Sequence, residues 1–429
     1  MNLPIIFPEI KGQLYDCECC GSGCRELVIF LTERDYRKID EQGWAARLDR
    51  PPYIRLGRSY VLNHKANGEC VFLTADNRCR IHAEFGYTEK PLSCQLFPFT
   101  LERDAEGFRV GLRFDCPAMA KSVGGPLAKH RGDVARLAAE FAAADLAELK
   151  PSSRPVELVA GRSLDPPVVE RLIDQVDRWI RRTDVLLAQR LSGLVGFLDT
   201  LSTARLGALD NQQVLELVEL LMGELPSAAR DATPVAPATP RQLRLLRQAV
   251  FAHCENIPLE QASAGVLSRL RYRWGQLRRA RAVAAGVGAV PTLLRGVSGA
   301  SFDEVEHVEA SESLLPAEAD GLLTRYLRAR LAGGTVFGRG FFGWPIVEGL
   351  RALILAVAVV GWLARYLAAA DRRATYTMSD LVRAVGIVDR NATRNPEVGA
   401  SSGRLRLRYL SADDGLRRLL AEYPVGPAA

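Results

Sequence analysis

The distribution of cysteine constrains this chain more than any other feature. Eight of the nine, Cys17, Cys19, Cys20, Cys24, Cys70, Cys79, Cys94 and Cys116, lie before residue 117, and Cys254 stands alone in the rest. The N-terminal MNLPIIFPEIKGQLYDC lacks the basic start, long apolar core and small-residue cleavage site of a signal peptide. A cytoplasmic location is therefore expected, and in a reducing compartment clustered thiols serve as metal ligands more readily than as disulfides.

Composition closes several other routes. With 48% hydrophobic and 25% charged residues over 429 positions, the chain is an ordinary globular one, which excludes disorder, collagen and a membrane bundle. Lysines number only seven, so the formal charge of +6 is carried mainly by arginine. Residues 1–125 hold 17 basic and 17 acidic side chains, so the excess sits wholly in the remainder. That excess is small for this length and is no nucleic-acid footprint by itself.

The hydrophobic pattern changes along the chain. ELVIFLTERDYRKIDEQG reads as a strand entering a helix capped by Thr32, with Asp35 completing an approximate capping box. FPFTLERDAEGFRVGLRFDCP alternates on both sides of an Asp-Ala-Glu-Gly turn, a β-hairpin, and two short strands are expected beside Cys70. After Pro126 the apolar period becomes helical, as in PPVVERLIDQVDRWIRR. The expected fold class is α+β: a small cysteine-rich α+β domain over 1–125, then a larger all-α domain over 126–429, with a Pro/Ala-rich linker at 231–240. ALILAVAVVGWLA, residues 352–364, would reach roughly 20 Å as a helix, short of a ~30 Å hydrocarbon core. It is expected to be a buried central helix, with no membrane span. The glycines of GGTVFGRGFFGWP predict a loop between helices, and AAGVGAVP a helix terminus.

CxxCxxxC at Cys17, Cys20 and Cys24 forms a compact knuckle whose glycines, Gly21 and Gly23, let the backbone turn three sulfurs inward. Cys70, Cys79, Cys94 and Cys116 each stand beside a turn or strand end, where a loop can aim a thiolate without disturbing a ladder. Seven sulfurs cannot stay ionised in an apolar interior without cations to neutralise them. Cys17, Cys20, Cys24, Cys70, Cys79, Cys94 and Cys116 are therefore the expected ligands. All-thiolate donors suit zinc or an iron–sulfur cluster such as [4Fe–4S]. Four fill one such site, so seven imply a bridged binuclear site or one centre with spare thiols. His64 and His82 are candidate nitrogen donors, although hydrogen-bonded histidines are the commoner outcome. Cys254, beside His253, reads as inert core.

YDCECCGSGC, ELVIFLTERD, GECVFL, NRCRIH, KPLSCQLFPF and DCP together resemble the bacterial CxxCxxCC cysteine-cluster family, a zinc- or iron-chelating family of which one branch is the flagellin lysine N-methylase. The usual motif ends in paired cysteines; here Gly23 precedes Cys24 and Cys19 precedes Cys20, so Cys19 is a candidate replacement for the missing sulfur. The length and the tail from LLTRYLRARLAGG onward resemble the helical part of the methylase branch. That resemblance implies a protein-lysine N-methyltransferase using S-adenosylmethionine on a lysine-bearing protein substrate, with catalytic and cofactor residues unassigned. The competing class is a non-enzymatic, metal-stabilised interaction module whose basic helical part binds a protein or nucleic-acid partner. RYRWGQLRRARA, residues 271–282, interleaves Arg with Tyr and Trp, but a solvated arginine face is the usual explanation of such a run, and a nucleic-acid role is not expected.

Overall fold

The computed structural model describes residues 4–425 apart from 26, 104–106, 145–153, 231–234, 263, 298 and 394. Helix accounts for 58% and strand for 12%, with most strands early in the chain, which is the α+β class expected. The chain divides into two compact units, Met1–Pro151 with Asn256–Arg278, and Ser152–Glu255 with Arg279–Ala429. The first thus takes in the helix Arg131–Ala143 and a later stretch that periodicity alone grouped with the helical part.

In the first unit, Phe99–Arg103 and Phe108–Leu112 pair antiparallel from Phe99↔Leu112 to Arg103↔Phe108, and Ile5–Ile6 adds a parallel strand beyond. This is the expected hairpin; its turn at 104–106 lies outside the described residues. Alternation sends Phe99, Leu101, Phe108, Val110 and Leu112 to the core. A second sheet orders Phe30–Leu31, Ser59–Leu62 and Tyr53–Leu56, all antiparallel. Around Cys70 itself only isolated bridges form, His64↔Cys70 and Leu73↔Cys79, in place of the two strands expected there. The following helix, Glu33–Glu41, starts with the anticipated capping box: Thr32 Oγ1 accepts from Asp35 N at 3.2 Å and the Asp35 carboxylate accepts from Thr32 N at 2.9 Å.

The second unit is built around the helix Ile346–Ala370, against which Met378–Ala392, Leu187–Thr203, Pro240–Cys254, Phe302–His307, Ser401–Ser411 and Gly415–Glu422 pack. The apolar run at 352–364 is only its middle. At 25 residues the helix is long enough to cross a bilayer, so the shortness inferred from the sequence does not hold; what makes it a core helix is that 83% of its most apolar window is buried against its own unit. Glycines let backbone approach it closely: a Cβ at Gly349 would collide with the Val336 carbonyl oxygen, and one at Gly361 with that of Tyr423. Among the internal cations, Arg190 clamps Asp320 and Arg328 grips Asp177 through two hydrogen bonds of 2.8 and 3.1 Å. The loop before Ile346 links it to the helix Pro316–Ala332, as its glycines predict. Gly286, at φ 69°, follows the end of the helix Val266–Ala285, so AAGVGAVP is a helix terminus. Of the expected linker, 231–234 lie outside the described residues, and the next helix begins at Pro240 behind a Thr239 cap. Leu267, Leu270, Trp274 and Leu277 are exposed on Val266–Ala285, beside the arginines of the same helix.

Two measurements test this packing. Gly349→Ala is expected to lower the unfolding free energy of the second unit by about 3 kcal/mol, because a backbone carbonyl has little room to yield. Gly223→Ala, in the exposed interior of the helix Asn211–Arg230 with nothing near its Cβ, is expected to raise it by about 1 kcal/mol; urea midpoints read both. His253 is buried, and burial holds its imidazole down from 6.5 to about 4. The unfolded chain then binds a proton that the native one refuses, so stability present above pH 6.5 should drain away as the pH falls toward 4. The loss should approach about 3 kcal/mol and be absent in His253→Phe, as followed by urea unfolding across that pH range.

Candidate metal centre

Four of the predicted ligands are carried by four separate turns that meet on one apolar cluster. Leu31, Ile39, Trp44, Leu62, Val71, Phe72, Leu73 and Ile81 form the cluster with Cys70, and Cys24, Cys79 and Cys94 pack against it. Backbone contacts set their places. Cys70 N donates to Cys24 O at 2.8 Å, Arg25 bridges to Glu69, and Leu73 bridges to Cys79, which precedes the helix Arg80–Phe85. Cys94 rides on the short helix Leu92–Leu96, whose first amide donates to Asp35 Oδ1 at 3.1 Å. The carboxylate that caps Glu33–Glu41 therefore also anchors the turn bearing Cys94. Burial raises the Asp35 carboxyl against the opposing pull of the Thr32 and Leu92 donors, the mark of a carboxylate enclosed for structural reasons.

These thiols sense one another. Burial, then Cys24, pushes Cys70 up to about 12, with the Phe72 amide pulling the other way. Cys94 is raised by burial and by Cys70, Cys24 and Cys79, opposed by Lys90; Cys24 is raised by burial and Cys79. Burial opposes the charge of Lys90, yet Cys94, Cys79, Tyr87 and Cys24 outweigh it and leave the ammonium favoured. One internal cation cannot balance four thiolates, and burial holds Cys24, Cys70 and Cys94 toward the neutral thiol. A metal ion supplies the missing charge and draws the protons off. Among the described residues no group of three or more His, Cys, Asp or Glu side chains is placed so that it could hold a metal ion as it stands.

Cys17, Cys20 and Cys116 are not part of that apolar cluster, although Cys20 still acts on Cys24. Asp16 N donates to Val123 O at 2.9 Å, Gly125 N to Asp16 Oδ2 at 2.9 Å, and Ser22 Oγ to Asp115 O at 3.3 Å, pinning both ends of the knuckle along 115–125. Cys20 lies near Cys116, and the Tyr15 hydroxyl lies against both Cys116 and Cys17. Cys116 is buried and pushed up to about 12, although the Met119 and Ala118 amides donate to its sulfur. Cys17, Cys19 and Cys20 are exposed. Of the seven expected ligands, Cys70 and Cys116 are buried, Cys24, Cys79 and Cys94 partly buried, and Cys17 and Cys20 exposed, with Cys20 near both Cys24 and Cys116.

The remaining candidates resolve simply. His64 is buried with Nε2–H donating to Leu27 O at 3.1 Å, and His82 is exposed with its ring edge-on to Tyr87 at 5.7 Å, so each has a structural partner. Cys254 is buried, and burial raises its thiol. What the sequence did not reveal is the Asp35–Leu92 bond, since nothing in the spacing of 35 and 92 signals it.

Once this geometry is in view, comparison with known proteins points to the same stretch. Residues 16–115 match the CxxCxxCC family. Its description is "Putative zinc- or iron-chelating domain", and the matched span holds every cysteine above except Cys116 and Cys254. An uncharacterized protein of Methanocaldococcus jannaschii is 34% identical over 100 residues, 23% of this chain and 33% of that protein. The chain therefore aligns with about a third of that relative's length. No solved structure matches. The family match supports metal binding by this segment and lies within the first unit.

Asp35→Asn keeps one carbonyl acceptor where two are needed, so either the Thr32 or the Leu92 amide loses its partner. The first unit should lose about 1–2 kcal/mol. Alkylation of Cys94 in the chelator-treated protein should quicken in the variant, as followed by mass spectrometry; an unchanged Cys94 rate would dissociate this carboxylate from the site.

Proposed function

We propose that Cys24, Cys70, Cys79 and Cys94 form a closed four-thiolate metal centre that holds the first unit together. The observation that carries this is the meeting of four cysteines from four turns on one buried cluster. Their number equals the coordination number of zinc in structural sites, and all four donors are sulfur. An iron–sulfur centre takes the same donors, so metal analysis decides between them. Bound metal would supply the positive charge that lets these buried thiols ionise. The protein's own contribution is positional: Asp35 fixes the Cys94 turn, the Cys24–Cys70 backbone bond fixes two more, and Lys90 adds one internal charge. Metal affinity then becomes folding free energy of the unit.

Methyl transfer, S-adenosylmethionine and a lysine-bearing substrate rest on resemblance to the methylase branch alone. The metal-stabilised module is the reading that the donor geometry supports.

Anaerobically purified protein should contain metal in Cys20→Ser but lose the tightly held equivalent in Cys94→Ser. Zinc, iron and sulfide are quantified on one sample together with the visible spectrum. A colourless zinc protein supports the structural site, and matching iron and sulfide with a broad visible band assigns a cluster to the same thiols. Metal content unchanged by Cys94→Ser and by Cys24→Ser would refute the assignment.

A further inference from the structure

The helix Val266–Ala285 shows solvent the side that a helix ordinarily hides. Val266, Leu267, Leu270, Trp274 and Leu277 are all exposed, Leu267 at 83% and Trp274 at 64%. We propose that this helix is a docking surface for an anionic phospholipid bilayer, on which it lies flat with its apolar stripe among the headgroups and its arginines on lipid phosphates. The inference is independent of the metal centre and goes beyond it.

Three observations support it. The first is arrangement. By helical period, Leu267, Leu270, Trp274 and Leu277 share one face along about 15 Å of helix, bordered by Arg271 and Arg278 on one side and by Arg269 and Arg273 on the other. The second is what faces inward. Tyr272 and Gln276 are half-buried, and the Tyr272 hydroxyl donates to Asn256 O at 3.2 Å; further along, Arg279 donates to Glu255 at 2.8 Å. Polar side chains therefore hold the helix in place, and the apolar stripe is not what packs it. The third is charge. VLSRLRYRWGQLRRARAVAA contains six arginines and no acidic residue. Of these six, only Arg279 has an ion pair among the described residues.

That combination selects the occupant. A second copy packed stripe on stripe would set these arginines against the same arginines, and like charges at a contact disfavour it. A single-stranded nucleic acid needs aromatic rings under its bases, yet of the two rings on this helix only Trp274 faces out, and Leu267, Leu270 and Leu277 would find no partner. An anionic bilayer matches both halves of the pattern. Its interface accepts Trp and Leu side chains, its surface potential draws in the flanking arginines, and a guanidinium fits a phosphate through two hydrogen bonds. The association is peripheral, with the helix resting on the membrane.

The test adds the full-length protein, as purified, to vesicles of equal parts phosphatidylserine and phosphatidylcholine or of phosphatidylcholine alone, and follows co-sedimentation and tryptophan emission. Trp44, Trp179, Trp344 and Trp362 are buried, so a blue shift on adding vesicles reports Trp274. Wild type should bind the phosphatidylserine vesicles with a blue shift, bind phosphatidylcholine about tenfold more weakly, and lose affinity as salt rises. Leu270→Ser with Leu277→Ser should weaken binding by about tenfold. Arg271→Gln with Arg273→Gln should weaken it by about 25-fold, roughly fivefold per arginine. Metal content and far-ultraviolet circular dichroism should be unchanged in both, because all four positions are exposed. Trp274→Phe should keep binding and lose the blue shift. No binding to phosphatidylserine vesicles, equal binding to both vesicle types, or binding that neither double substitution weakens would overturn the proposal. A lipid-free dimer that the leucine substitutions dissolve would overturn it in favour of a second copy. Tighter binding to single-stranded polyuridylate that survives those substitutions would overturn it in favour of a nucleic acid.

Discussion

Ionising a thiol away from water costs more than the packing of its neighbours returns, and the first unit is organised around that cost. Cys70 and Cys94 are pushed upward chiefly by burial, and each further sulfur brought close raises the others. Lys90 offsets one charge of four. The apolar cluster beneath, from Leu31 to Ile81, therefore has an edge made of groups that pack well as neutral thiols and bind tightly only when a cation arrives. The second unit solves the matching problem internally: Arg190 has Asp320, Arg328 has Asp177, and Arg330 faces Asp389 at 3.6 Å. Arg365 instead rests on backbone carbonyls and aromatic rings, and the first unit has a buried pair of its own in Arg113 and Asp115, so the thiols are what it leaves uncompensated.

This difference explains the two styles of architecture. A long apolar helix with glycines at its crossing points gathers its neighbours through side-chain burial alone, and it needs length to do so. The first unit has strands of two to five residues and helices of five or six around its cysteines, elements too short to hold their own register. Its turns are fixed one by one, by the Asp35 carboxylate, by the Cys24–Cys70 and Leu73–Cys79 backbone contacts, and by Ser22 on Asp115.

Much of the fold was legible where the signal is local. The Thr32–Asp35 box, the 99–112 hairpin and the change to helical period after Pro126 each arise from neighbours in sequence, and each is present. The cysteines were legible as a metal-binding set because residue type and clustering carry that meaning. Their division was not. CxxCxxxC suggests one focus, but Cys24 lies past the turn at Gly21–Gly23, and its carbonyl is taken by Cys70, 46 positions on, a pairing that no spacing encodes. Helix length failed for a related reason: the flanks of 352–364 are polar enough to look like ends, yet Arg365 stays inside by donating to Gly361 O at 3.0 Å and lying over Tyr376 and Tyr423.

The contact between Gly23 and Phe97, where a Cβ at Gly23 would lie 2.8 Å from Phe97 Cε1, also limits the routes by which such a sequence can change. A paired-cysteine motif at 23 and 24 and a phenyl ring at 97 compete for one volume, so neither position is free to vary independently of the other.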